Sequence, residues 1–113
     1  MAEMGINEGK GLHFTFDNGI RISIQIGRGN YCDNYDWREE ITRENPLPPS
    51  RRAEIAVWSP SDELMIDICG DLVKGYVPVD DVLRFVEFLR SLPSDLTKNE
   101  VELAINPFDW RNA

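Results

Sequence analysis

Leu12, Phe14 and Phe16 alternate with His13 and Thr15, and Ile20, Ile22, Ile24 and Ile26 alternate with Arg21, Ser23 and Gln25. Period-two alternation is the pattern of a strand with one buried face. Asp17-Asn18-Gly19 lies between the two runs, so the stretch predicts a β-hairpin. A two-residue Asn-Gly turn would pair Phe16 with Arg21 and Phe14 with Ser23, mixing apolar and polar side chains on each face. A three-residue turn pairs Phe16 with Ile20, Phe14 with Ile22 and Leu12 with Ile24. A one-residue slip turns every side chain to the other face, so the second register is expected. It places Gly19 in the left-handed position of a type I turn with a G1 bulge.

The rest of the pattern predicts a second hairpin and a main helix. Residues 54–58 and 63–68 read as strands around the loop Ser59-Pro60-Ser61-Asp62, with Pro60 suited to the second position of a type I turn. This register pairs Val57 with Leu64 and Ile55 with Ile66, and leaves Trp58 and Met65 on the opposite face. Residues 72–77 continue as a short extended segment. Over residues 80–92, Val82, Phe85, Val86 and Leu89 recur at helical spacing, Asp80 and Asp81 favour the N-terminal dipole, and Pro93 is the stop. Thr97-Lys98-Asn99-Glu100 has capping-box form, yet Val101, Leu103 and Ile105 alternate like a strand, so residues 98–105 fit either element. Residues 38–44 suggest a helical turn, and the proline-rich residues 45–50 an extended surface connection. The expected fold is α+β. An antiparallel sheet of four or five strands, built from two hairpins, packs on one main helix at about residues 80–92. The domain spans residues 12–106, between a flexible N-terminus (1–11) and a C-terminal tail (107–113).

A chain of 113 residues suits one domain and is long enough to bury a core without staples. Cys32 and Cys69 are too few for a disulfide framework and read as free thiols in a reducing cytoplasm, or as one bridge. No apolar run forms a signal peptide or a membrane span. The net charge of −8 disfavours direct nucleic-acid binding and suits a partner with a basic surface.

Candidate chemistry is sparse. Gly27-Arg28-Gly29 follows a strand but lacks the third glycine of a dinucleotide loop and the Gly-Lys-Ser/Thr of a Walker loop. Asp33, Asn34, Asp36, Glu39 and Glu40 gather oxygens without EF-hand spacing. Cys32, Cys69 and His13 lack zinc-site spacing, and His13 is the sole base available to a nucleophilic cysteine. No catalytic residue, metal or cofactor is therefore assigned. The aromatic residues carry more. Tyr31, Tyr35 and Trp37 share a loop edged by Arg28 and Arg38, and Tyr, Trp and Arg are the types enriched at binding hot spots. The candidate partner-binding set is Arg28, Tyr31, Asp33, Tyr35, Asp36, Trp37 and Trp58. The competing assignment packs the same aromatics inward, beneath residues 45–50, as a second small core.

Phe16-Asp17-Asn18-Gly19, Gly27-Arg28-Gly29-Asn30-Tyr31-Cys32-Asp33-Asn34 and the strand Ala56-Val57-Trp58 resemble segments of small uncharacterised accessory proteins encoded by bacteriophages and prophages. The resemblance covers residues 12–89. It implies a setting, the bacterial host cytoplasm, and carries no established activity. The resulting expectation is a non-enzymatic protein-binding accessory protein, of which an inhibitor of a host defence protein is one form. The alternatives are a small-ligand, metal-binding or enzymatic module around Cys32, His13 and the acidic loop, or an accessory of virion assembly.

Gly19→Val is expected to destabilise the chain by roughly 1–3 kcal/mol in denaturant unfolding, because a β-branched residue is strained at positive φ. An unchanged midpoint would mean that the turn takes another form.

Overall fold

The computed structural model describes residues 2–6, 10–61 and 63–112. Five strands form one sheet: β1 (Glu3–Ile6), β2 (Gly11–Thr15), β3 (Arg21–Gln25), β4 (Arg52–Trp58) and β5 (Lys74–Pro78). They lie in that order, each antiparallel to its neighbours. Two helices follow, α1 (Val79–Arg90) and α2 (Lys98–Ile105). The fold is α+β, with the main helix packed on the sheet, as the pattern predicts.

The first hairpin takes the register that keeps one face apolar, with Leu12 opposite Ile24 and Phe14 opposite Ile22. Gly19 closes it at φ 89°. The Gly19 N–H donates to the Phe16 carbonyl at 2.8 Å, and the Phe16 N–H to that of Ile20 at 2.9 Å. The apolar face continues through Val57, Ile55 and Ala53 of β4 to Val77 of β5, and is roofed by Val82, Phe85 and Leu89 of α1. Phe85 is fully buried at the centre of this core.

Several expectations need correction. The predicted flexible N-terminus contains β1, whose Met4 and Ile6 extend the alternation of β2; residues 1 and 7–9 lie outside the described set. The second hairpin is shifted. Trp58 bridges Met65, and the Ile66 N–H donates to Val57 at 2.8 Å, so Val57 faces Ile66 rather than Leu64. A two-residue slip preserves which face each side chain occupies, so alternation alone does not detect it. The slip buries Ile66 and Ile68 and leaves Leu64 exposed. Beyond that bridge and one between Ile68 and Asp71, residues 63–68 form no strand, and β5 takes the place beside β4. Asp62, in the predicted loop, lies outside the described residues.

Residues 38–44 form no helical turn. Local side chains satisfy the backbone there instead: the Asn45 N–H donates to Thr42 Oγ1 at 3.0 Å, and Asn45 Nδ2 to the Glu40 carbonyl at 3.3 Å. Residues 98–105 resolve as α2, whose Thr97–Glu100 capping box is complete. Residues 107–112, the described part of the C-terminal tail, pack against the core; residue 113 lies outside the described residues. The rings of Phe108 and Trp110 lie 5.0 Å and 4.8 Å from that of Phe85. The fully buried Asp81 accepts from the N–H and the side-chain amide of Asn112, both at 3.0 Å, and from Arg84 at 3.2 Å.

Asn18 joins the hairpin turn to the end of α1. Its Nδ2 donates to the carbonyls of Leu89 (2.8 Å) and Leu92 (2.9 Å), and its Oδ1 accepts from the Ile20 N–H at 3.0 Å. The last carbonyls of a helix lack a full set of intrahelical partners; Leu89, in the last turn of α1, also takes the Leu92 N–H at 3.2 Å, and Asn18 adds a second donor to it from 71 residues away and supplies Leu92, just past the helix end, from 74. Asn18→Ala is expected to lower stability by about 1–3 kcal/mol in chemical denaturation, the cost of losing the amide's bonds to Leu89 and Leu92 and the acceptor of the buried Ile20 N–H. Asn18→Asp should also destabilise, because a carboxylate has no donor for the two carbonyls. A wild-type midpoint in Asn18→Asp would remove Asn18 from the stability of the fold.

Candidate binding surface

The chain leaves β3 and turns through Gly27 and Gly29, at φ 105° and 85°. The loop that follows is built on three buried polar side chains, Asn30, Cys32 and Asn34. Asn34 Oδ1 accepts from the Gly27 N–H and from the Cys32 thiol, both at 2.9 Å. Asn34 Nδ2 donates to the Pro48 carbonyl at 3.0 Å, and Asn30 Nδ2 to the Ile26 carbonyl at 3.1 Å. The Gly29 N–H closes the loop onto the Tyr35 carbonyl at 2.9 Å. With backbone groups paired partly within the loop and partly to Ser50, Glu54 and Tyr76 outside it, the loop holds its shape without a large apolar core.

Contacts to β4 and β5 fix the loop on the sheet. The Tyr31 N–H donates to Glu54 Oε2 at 2.8 Å, and its carbonyl accepts from the Tyr76 N–H at 2.8 Å. Tyr76 sits at φ 53°, inside the irregular stretch where β5 slips against β4. Gly75 has no Cβ, which would otherwise run into the Tyr31 side chain. Three tyrosines therefore converge. The rings of Tyr31 and Tyr35 stack at 5.6 Å and 9°, and Tyr76 lies 6.1 Å from Tyr31. The three are 47%, 44% and 44% exposed. The Arg52 guanidinium sits over the Tyr76 ring at 5.0 Å and bonds Asp33 at 2.6 Å, which extends the platform with a paired charge.

Of the residues singled out in the sequence, Tyr31, Asp33 and Tyr35 belong to this platform. Arg28 and Asp36 are exposed on the same loop. Trp37 is half-buried, and its enclosed indole N–H has no hydrogen-bond partner among the described residues. Trp58 belongs elsewhere. It sits at the opposite end of β4 from Arg52, across from Arg21, and lines a cleft with Thr15, Pro60 and Glu63. Tyr76, Arg52 and Glu54 join the platform although nothing in their local sequence marks them; long-range pairing brings them there. Cys32 is a structural thiol bonded to Asn34, whereas His13 lies on β2 opposite Gly5 and Ser23. Among the described residues no group of three or more His, Cys, Asp or Glu is placed to hold a metal ion, and no helix is long and apolar enough to cross a membrane.

The Arg51 N–H and the Arg52 guanidinium hold the Asp33 carboxyl below its ordinary value of 3.8. A group depressed in the folded state contributes stability that is complete above the unfolded value and lost as the pH falls through the folded one. The Asp33 carboxyl is therefore expected to titrate below 3.8 by NMR, with Arg52→Gln moving its midpoint upward. A midpoint at or above 3.8 in the wild-type chain would show that the Arg51 and Arg52 contacts do not hold in solution.

No protein-family model, curated protein or solved structure matches this chain.

Proposed function

We propose that the chain is a non-enzymatic accessory protein that acts by binding another protein through the platform of Tyr31, Tyr35, Tyr76 and Arg52. The observation that carries this reading is the exposure of three clustered tyrosine rings on a loop whose backbone is already ordered. Tyrosine offers a large amphipathic contact area with few rotatable bonds, so little entropy is lost when it docks. A preordered loop lowers the remaining cost of binding. The net charge of −8 supports a partner with a basic surface, which long-range attraction would steer toward the acidic chain. In the setting implied by the likeness to phage-encoded proteins, the partner is a host or phage protein in the bacterial cytoplasm. Inhibition of a host defence protein is one action of this kind.

The test compares Tyr35→Ala, Tyr76→Ala and Trp37→Ala with the wild-type chain, for thermal midpoint and for recovery of a partner pulled down from bacterial lysate. Tyr35→Ala and Tyr76→Ala are expected to keep the midpoint and reduce recovery about tenfold or more. Trp37→Ala, at a half-buried position, should lower the midpoint instead. Midpoints that collapse in both tyrosine variants, with recovery following the folded fraction, would assign the rings to a minor core and end the proposal.

A further inference from the structure

The two edges of the sheet are finished differently. Along β5 the 27–37 loop takes the Tyr76 N–H, a bulge interrupts the ladder with β4, and Pro78 has no N–H to offer. Loops, bulges and prolines are devices that close a sheet edge to a further strand. The β1 edge carries none of them. Its four residues pair with β2 without interruption, from Glu3 opposite Thr15 to Ile6 opposite Leu12. It contains no lysine or proline, and Glu3 is its sole charge. Among the described residues no strand lies beyond it.

The direction of its backbone groups follows from the ladder. The Phe16 N–H bonds the Ile20 carbonyl, and the Ile26 N–H that of Lys10. Even-numbered residues along β2 therefore turn their backbone groups toward β3, and odd-numbered ones turn toward β1. Glu3 and Gly5, opposite Thr15 and His13, bond inward, while Met4 and Ile6 direct their N–H and C=O groups away from the sheet. The side chains of Met4 and Ile6 are 66% and 74% exposed. They lie on the apolar face of the sheet, beyond the cover of α1, which packs on β4 and β5.

We propose that a second copy of this chain docks here, β1 against β1, antiparallel about a two-fold axis through Gly5. This register sets Met4 opposite Ile6 of the second copy, and Ile6 opposite its Met4. Both pairs use the outward backbone groups, and Gly5 meets Gly5 between them. An even register keeps the apolar faces of both sheets on one side, so Met4 and Ile6 of each copy cover those of the other. The strand is self-complementary in this register, as an isologous interface requires. Charge also selects the site. A chain of net charge −8 repels its own copy over most of its surface, whereas Met4, Gly5 and Ile6 form an uncharged stretch at an open edge.

The experiment is light scattering with size exclusion on the full chain across a wide range of protomer concentration, since such a dimer follows mass action. The expected mass at high concentration is twice that of one chain. Ile6→Lys, at an exposed side chain, should raise the dissociation constant about tenfold or more, while Leu103→Lys on α2 leaves it unchanged. Location is read independently with Met4→Cys and Ile6→Cys combined in a Cys69→Ser background. Opposed residues in such a pair lie about 5.5 Å apart, within disulfide reach, so mild oxidation should link two copies. A wild-type chain that stays monomeric throughout would overturn the proposal, including the case in which a foreign extended peptide binds the edge of that monomer. So would a dimer that is unaffected by Ile6→Lys and does not cross-link.

Discussion

The clasp between Asn18 and the end of α1 is the contact on which the arrangement of sheet and helix depends. A left-handed Gly19 is required to close the three-residue turn, and that turn orients the Asn18 amide. The amide then meets the carbonyls of Leu89, in the last turn of α1, and of Leu92, just past its end. One end of α1 is thereby held to the first hairpin. The other end is held by Asp81 to Asn112, at the far end of the described chain. Between the two anchors, Val82, Phe85 and Leu89 lie over the apolar rows of the sheet, so the polar contacts set where the helix lies and the apolar burial supplies the stabilisation.

The hairpin and helix were legible because their signals are local and mutually consistent. Face alternation decided between two turns at Asp17-Asn18-Gly19, and Val82, Phe85 and Leu89 marked one stripe. The second hairpin misled because Val57 stays on the core face whether it meets Leu64 or Ile66. Alternation reports the face and is silent about the partner. For residues 98–105, the Thr97–Glu100 capping box was the more informative signal, and the alternation of Val101, Leu103 and Ile105 was incidental. The role of Asn18 lay beyond local reading altogether, since its acceptors are 71 and 74 residues away.

The binding surface shows the same division. Its loop was visible as a concentration of aromatic and acidic residues, but the sequence does not sort those residues by depth. Asn34, grouped with the acidic side chains as an oxygen donor, is the buried centre of the loop, while Asp33 locks it to Arg51 and Arg52. Trp37 and Tyr35 look interchangeable in the sequence, yet one ring is half-buried and the other stacks in the open. Tyr76 completes the platform only because the irregular pairing of β5 with β4 brings it to Tyr31.

The two cysteines differ in a way that reports on motion. Cys32 is buried and donates its thiol hydrogen to Asn34, so a reagent reaches it only when the 27–37 loop opens. Cys69 is exposed and meets the same reagent without any such opening. The ratio of their labelling rates, corrected for intrinsic thiol reactivity, therefore measures the free energy of local opening when reclosing outpaces the chemistry. The chain thus contains both a probe for the dynamics of its tyrosine loop and an internal reference for it.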